Sequence, residues 1–422
     1  MKTAIKSFIP HSISDGDTDF RLKKFIIART KAINETYWKS DNPTAEWNQI
    51  GLMTGLAGSA LVNFYVGNYL EKKAFIIEGD RMVTHIIKCL NSQTFSLSNI
   101  YSFCNGLSGV LFSLSHLQKK GFLSEKIHGL SEIEEFLFER GIKAISKNDI
   151  DYLHGGLGVL YYFLNQPNSS KNRQYIESML EAYSSAALID SSGLRIVNRS
   201  LLERESNEYD LGLAHGIIGH LMIFLEVYKK GIKTKKVKSL IESGLKYIEN
   251  KVIDPGHQGY RAMYPVSFIE NLPQNDMRNL EFYNSRLGWC YGDLNMAMLY
   301  IKLYKIFGKK EFLRKAEKIG EFSAMRINKG DTKITNVFFC HGSSGVAYTF
   351  LRLYQETSRQ LFKDASDFWY HHMLGHTQKN INDFIKISAT RCLLNGLGGP
   401  VLAALARTKP SGEDWNEIFL LN

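Results

Sequence analysis

Two short segments carry the residue types that could do chemistry. Arg286-Leu287-Gly288-Trp289-Cys290-Tyr291-Gly292-Asp293 places a thiol two residues before a glycine, and Cys340-His341-Gly342-Ser343-Ser344-Gly345 places a thiol and an imidazole directly before another. Thiolate sulfur and imidazole nitrogen are the usual zinc donors, and two thiols with one imidazole leave a tetrahedral ion one open position. An open position marks a catalytic metal, whereas a fourth protein ligand would close the site and make it structural. Either segment alone also has an ordinary explanation, because free cysteine is often a small buried apolar residue. Chemistry therefore requires elements that bring the three side chains together.

Those elements recur along the chain. Thr54-Gly55-Leu56-Ala57-Gly58, Asn105-Gly106-Leu107-Ser108-Gly109, His154-Gly155-Gly156-Leu157-Gly158, His215-Gly216-Ile217-Ile218-Gly219, Tyr291-Gly292-Asp293-Leu294-Asn295, His341-Gly342-Ser343-Ser344-Gly345 and Asn395-Gly396-Leu397-Gly398-Gly399 each precede an apolar run. These are seven copies of Gly-x-x-Gly, the fifth degraded to Gly-x-x-Asn. Most intervals are about fifty residues, enough for two helices and their connections. Between the glycine segments lie stretches with one apolar face, at 20–37, 75–90, 130–146, 172–188, 235–252, 310–326 and 361–374. Leu240, Ile241, Leu245, Ile248 and Val252 show the spacing of a helix with one buried side. The glycine-led runs, such as Val159-Leu160-Tyr161-Tyr162-Phe163-Leu164, are apolar all round and predict inner helices. Alternating inner and outer helices form an open solenoid or a closed ring. Closure is favoured because neither end reads as a polar cap, the last copy running into Ile418-Phe419-Leu420-Leu421. Glycine at each helix start would also leave free N–H groups lining one mouth of a ring. Two intervals carry insertions, at 190–209 and at 254–284, the second rich in proline and glycine (Pro255, Gly256, Gly259, Pro265, Pro273). Loops of that length in a compact domain are usually functional.

Composition narrows the class. A chain of 422 residues with 44% hydrophobic content fits two or three domains or one large ring with a continuous core. Five widely spaced cysteines, Cys89, Cys104, Cys290, Cys340 and Cys392, argue against a disulfide framework and for a reducing, cytoplasmic compartment. No export signal is expected in the opening Met1-Lys2-Thr3-Ala4-Ile5-Lys6, because Asp15 and Asp17 intervene before an apolar core develops. The uncharged run 51–70 is long enough to cross a bilayer, but its four glycines and two asparagines favour a buried helix, so no transmembrane segment is expected. The net charge of +10 owes much to Lys229, Lys230, Lys233, Lys235, Lys236 and Lys238, a pattern typical of a solvated helix face. No nucleic-acid module accompanies it, and no nucleic-acid partner is expected.

The repeat supplies a register. Counting from each first glycine, Cys290 and Cys340 share one position, His341 and His215 share the next, and Asp151 stands slightly upstream. Equivalent positions face the same mouth, and the fifth and sixth copies are neighbours, so Cys290, Cys340 and His341 should converge. Cys104 and His154 hold the same positions in copies two and three, as decoys or supporting residues. Cys392, in copy seven beside copy six, is the rival fourth ligand; core packing is its alternative role.

The Arg-Leu-Gly-Trp-Cys-Tyr-Gly segment from Arg286, the Cys-His-Gly segment from Cys340 and the seven glycine repeats resemble the LanC family, the lanthionine cyclases of lanthipeptide biosynthesis. The resemblance covers nearly the whole chain and implies a single all-α (α/α)7 toroid over residues 1–422, with zinc held by Cys290, Cys340 and His341. It implies that a peptide cysteine adds to a dehydroalanine or dehydrobutyrine, with zinc supplying the thiolate. His215 and Asp151 match family positions implicated in acid/base work, and Arg286 and Tyr291 match positions suited to stabilising the enolate or a peptide carbonyl. The bland alternatives stay open: an aspartate before a helix is often an N-cap, and an arginine is often an ion-pair partner. The implied partners are a dehydrated precursor peptide, a separate dehydratase and a transporter, with membrane association only through such proteins. Residues 254–284 are the candidate for the small inserted domain of the family's prokaryotic members. Two alternatives remain, a LanC-like enzyme that adds glutathione to dehydroamino acids and a zinc-containing adaptor without turnover.

Overall fold

A computed structural model describes residues 15–38, 43–123, 129–199, 207–254, 259–379, 388–408 and 414–422. The opening segment from Met1, and Pro255 and Gly256 of the second insertion, lie outside the described residues. The chain is mostly helical. Its long helices run α1 (Asp15–Trp38), α2 (Leu56–Tyr69), α3 (Lys73–Ser92), α4 (Leu107–Lys119), α5 (Ser131–Ser146), α6 (Gly156–Leu164), α7 (Ser170–Ala186), α8 (Ile217–Lys229), α9 (Thr234–Glu249), α10 (Asp293–Phe307), α11 (Lys310–Ala324), α12 (Ser343–Thr357), α13 (Gln360–Lys379) and α14 (Gly398–Thr408). Even-numbered helices follow the glycine segments and odd-numbered ones alternate with them, as the repeat predicts. All nine residues of α6 are buried. In α9 only the stripe Val237, Leu240, Ile241, Gly244, Leu245, Tyr247 and Ile248 is. A fully buried Leu, Val or Phe contributes about 1.5–3 kcal/mol relative to exposure, which is why the glycine-led helices tolerate apolar residues on every side.

The glycine segments cap these helices differently from the sequence expectation. In five of the seven copies the amide that follows the first glycine is not left free for a mouth. Leu56 N donates to Gln49 O, Leu107 N to Ile100 O, Gly156 N to Asp149 O, Ser343 N to Asn336 O and Leu397 N to Thr390 O, at 2.7 to 3.1 Å. In these five copies the loop curls back so that its own carbonyl replaces the missing helical acceptor. The second glycine is what permits the curl. A Cβ at Gly219 would stand 2.0 Å from Leu213 O, and one at Gly345 would stand 1.9 Å from Phe339 O. In the fifth copy Asn295 takes that place. There Gly292, at φ 95°, reshapes the loop, and the Asn295 side-chain amide donates to Trp289 O, the equivalent carbonyl.

Two compact units partition the chain. In the unit formed by Met1–Glu135, Asn336–Tyr348 and Ser366–Trp415, neighbouring glycine loops are tied by backbone bonds. Met53 N donates to Cys104 O at 2.7 Å, Leu393 N to Met53 O at 2.7 Å, and Cys340 N to Leu394 O at 3.0 Å. The last copy is thus bonded to the first. Arg391, buried beside the last loop, reaches Gln49 Oε1 at 3.2 Å and lies 4.6 Å over the Tyr37 ring.

In the unit formed by Phe136–Thr335, Thr349–Ala365 and Asn416–Asn422, the C-terminal residues are held by side chains of the glycine segments and their helices. Tyr152 donates to Ile418 O at 2.6 Å, Tyr161 to Glu417 O at 2.8 Å and Trp289 to Phe419 O at 2.9 Å. The insertions form two antiparallel pairs, β1 (Leu188–Asp190) with β2 (Gly193–Arg195), and β3 (Glu208–Asp210) with β4 (Ser267–Ile269). The lysine cluster is a solvated, paired face: Lys233 reaches Glu177 at 3.6 Å, Lys238 reaches Glu242 at 3.9 Å and Lys236 pairs with Glu181. Among the described residues no helix is long and apolar enough to cross a membrane; the uncharged run at 51–70 is a glycine loop followed by α2.

Candidate active site

The three predicted donors do converge. One ligand atom from each of Cys290, Cys340 and His341 lies within 4.8 Å of the others. Zn–S bonds of about 2.3 Å give tetrahedral edges of about 3.8 Å, so small side-chain adjustments suffice to hold a metal. All three stand in the loops just before α10 and α12. Cys290 is buried, and Cys340 and His341 are half-buried. Every described cysteine is free of disulfides.

Cys392 does not belong to that group among the described residues. Its sulfur accepts from Asn395 N at 3.3 Å. Burial pushes its thiol above the usual range, a shift that the Asn395 and Leu394 amides oppose and nearby Cys340 adds to. Cys392 is thus buried and hydrogen-bonded to its own loop. Cys104 is also buried and outside the group.

The backbone brings the acid/base candidates to Cys290. Leu213 N and Ala214 N both point at Cys290 O, at 3.0 and 3.4 Å, and His215 follows them. His215 Nδ1 is 2.6 Å from Asp151 Oδ2. Asp151 is fully buried, and its Oδ1 accepts from Leu153 N at 2.7 Å and His154 N at 2.9 Å. The N-cap geometry that offered the bland reading is therefore present, and the same carboxylate also serves His215. Burial would raise the Asp151 carboxyl, but His215, His154 and the backbone N–H hold it below the usual carboxylate range.

His154 lies against the pair: its ring stacks on that of His215 with centroids 5.9 Å apart. Burial and the neighbouring His215 lower its basicity, partly offset by Asp151 and Asp149. Tyr291 places its ring 6.1 Å from that of His215. Gly212 allows this approach, since a Cβ there would meet Tyr291 Cδ1 at 2.7 Å. Arg286 is half-buried in the loop four residues before Cys290, and no hydrogen bond or ion pair to its guanidinium is found among the described residues.

Sequence reasoning missed two residues. Asn198, in the first insertion, donates to Asp151 Oδ2 at 3.0 Å and to His215 O at 2.7 Å; it lies outside the glycine register that located the others. Asp293 closes the Arg286 segment, but the sequence assigned it no role. Its buried carboxylate accepts from Met263 N and Tyr264 N at 3.0 to 3.1 Å, tying residues of the second insertion to the start of α10. Burial raises its carboxyl to about 6, against the pull of Arg326 and the two amides.

The arrangement offers soft donors that could hold a metal and sets a hydrogen-bonded imidazole–carboxylate pair beside them. Comparisons with known proteins supply the family. A family model described as lanthionine synthetase C-like protein matches residues 46–420. "Nisin biosynthesis protein NisC" of Lactococcus lactis subsp. lactis is 25% identical over 321 residues, covering 71% of this chain and 73% of that protein. "Glutathione S-transferase LANCL1" of Danio rerio is 25% identical over 318 residues, covering 72% of this chain and 69% of that protein. The solved structure of "Nisin cyclase" matches with a TM-score of 0.70 at 19% identity, over 93% of this chain and 97% of that one, and gives the fold as an α/α toroid. With its donor set, its alternating helices and a family match over nearly its full length, the chain belongs to the lanthionine synthetase C-like family.

Proposed function

We propose that the chain is a zinc-dependent lanthionine cyclase, which adds cysteine thiols of a dehydrated precursor peptide to its dehydroalanine or dehydrobutyrine residues. The observation that carries this reading is the convergence of the Cys290, Cys340 and His341 donors, together with the His215–Asp151 pair attached to the backbone of Cys290. The donor set fits zinc: two sulfurs and one nitrogen suit a borderline-soft ion and leave a fourth position open. When bound, the ion would lower the pKa of a substrate thiol, which is otherwise about 8.5 and mostly protonated at neutral pH.

The chain's own residues account for the rest of the reaction. The thiolate forms a C–S bond to the β-carbon, and the double-bond electrons move to the α-carbon and its carbonyl oxygen as an enolate. Arg286 and Tyr291 offer a cation and a phenol to that oxygen. His215 donates its Nδ1–H to Asp151, so the proton that neutralises the α-carbon passes through Nε2. The proton lost by the thiol balances the one gained by carbon, and the product has the mass of the substrate. The dehydro residues must come from a separate dehydratase, and the second insertion is where we place contact with the rest of the precursor.

The likeness to a glutathione S-transferase supports a second reading, in which the thiol is that of glutathione. Purified protein is mixed with a dehydrated peptide bearing one cysteine, with and without glutathione. Cyclisation predicts loss of the free thiol at constant mass, and a glutathione adduct would favour the second reading. A peptide unchanged by the zinc-loaded protein would leave only the adaptor.

A further inference from the structure

We propose that Asn198 is a positioning residue that fixes His215 for proton transfer, a role that rests on the cyclase reading above. The β1–β2 hairpin sits on α9, where Gly193 approaches so closely that a Cβ would stand 2.5 Å from Ser243 O. Beyond β2 the chain runs back to the loop that joins α5 to α6, where Arg199 N donates to Asn148 O at 2.9 Å. This path carries the buried Asn198 amide to the pair. Both N–H bonds of one NH2 group are used, one on Asp151 Oδ2 and one on the backbone carbonyl of His215.

Asp151 consequently receives two donors on each oxygen: Leu153 N and His154 N on Oδ1, His215 Nδ1 and Asn198 Nδ2 on Oδ2. A carboxylate so held has little freedom to rotate or to take a proton, and it imposes the Nδ1–H tautomer on His215. Asn198 ties the ring's partner and the ring's own backbone to one point. The other titratable groups around the pair are His154, stacked on His215, Tyr291, Asp149 near His154 and His220, which is within electrostatic reach of Asp151 and bonded to Tyr183 at 3.0 Å. Asn198 is the residue whose amide reaches both Asp151 Oδ2 and His215 O.

Asn198→Ala and the near-isosteric Asn198→Asp separate positioning from space-filling in the full-length, zinc-loaded protein. Asn198→Ala should lower kcat for cyclisation about tenfold or more, with KM and zinc content unchanged. Asn198→Asp should fall further at pH 8, because a carboxylate cannot donate, and its rate relative to the unaltered protein should recover as pH is lowered toward about 5.5, where two adjacent carboxyls share a proton. Independently of activity, the ring 15N signals of His215, assigned by their loss in His215→Asn, should report a single Nδ1–H tautomer in the unaltered protein and averaged tautomers in Asn198→Ala. An Asn198→Ala rate within twofold of the unaltered protein together with unchanged ring signals would overturn the proposal, as would an Asn198→Asp ratio that is flat with pH. If the unaltered protein cyclises nothing, the cyclase reading falls and the ring signals alone decide the role of Asn198.

Discussion

His215 and Asp293 are both buried or half-buried titratable groups near Cys290, yet their surroundings give them opposite tasks. His215 is held by a carboxylate that its hydrogen bonds and the neighbouring imidazoles keep ionised against the effect of burial, and in the proposed mechanism its ring carries the proton. His215→Asn should therefore retain stoichiometric zinc while lowering turnover about 100-fold, measured as metal content and cyclisation rate; full activity would remove it from the proton path. Asp293 is tied to backbone amides, and burial raises its carboxyl to about 6. The folded protein then binds this proton more tightly than the unfolded chain, whose aspartate titrates near 3.9. Between about pH 4 and pH 6 the native state holds more protons, so this group's contribution to stability falls as pH rises, by on the order of 3 kcal/mol in all. Denaturant melts of Asp293→Asn should show the variant gaining stability relative to the unaltered protein across that window, and a difference that is constant with pH would contradict the assignment.

At the scale of the element, the glycine loop explains what was legible in the sequence and what was not. Seven glycine segments before apolar runs identified the even-numbered helices, because a loop whose carbonyl presses on the helix start cannot accept a side chain there. The same register placed Cys290, Cys340 and His341 together. Asn295 read as a flaw because sequence shows the missing glycine but not the carbonyl of Trp289 that its amide satisfies. Asn198 could not be read at all, since an insertion has no register and its path depends on how the β1–β2 hairpin seats on α9. Gly219→Ala tests the loop directly. The added Cβ would stand 2.0 Å from Leu213 O, so the loop must shift, at a cost of about 1–3 kcal/mol, and Leu213 also donates to Cys290 O. Chemical denaturation should show that loss together with weaker zinc retention; a variant of unaltered stability and metal affinity would mean that the contact is not restrictive.

For the whole molecule, the account turns on the metal donors being three and not four. Two successive glycine-led helix starts supply Cys290, Cys340 and His341, the last copy of the repeat is bonded back to the first through Leu393 N and Met53 O, and Cys392 stays hydrogen-bonded to its own loop. On the proposed reading, a zinc ion on these three donors would keep a fourth position for a substrate sulfur. Zinc K-edge X-ray absorption on the purified protein, before and after addition of a cysteine-containing peptide, reads that room directly. The account predicts a shell of two sulfurs from Cys290 and Cys340, with nitrogen or oxygen completing it, and a third sulfur once the peptide is added. A third sulfur already present without peptide, and no change on adding it, would place Cys392 on the metal and contradict the catalytic site.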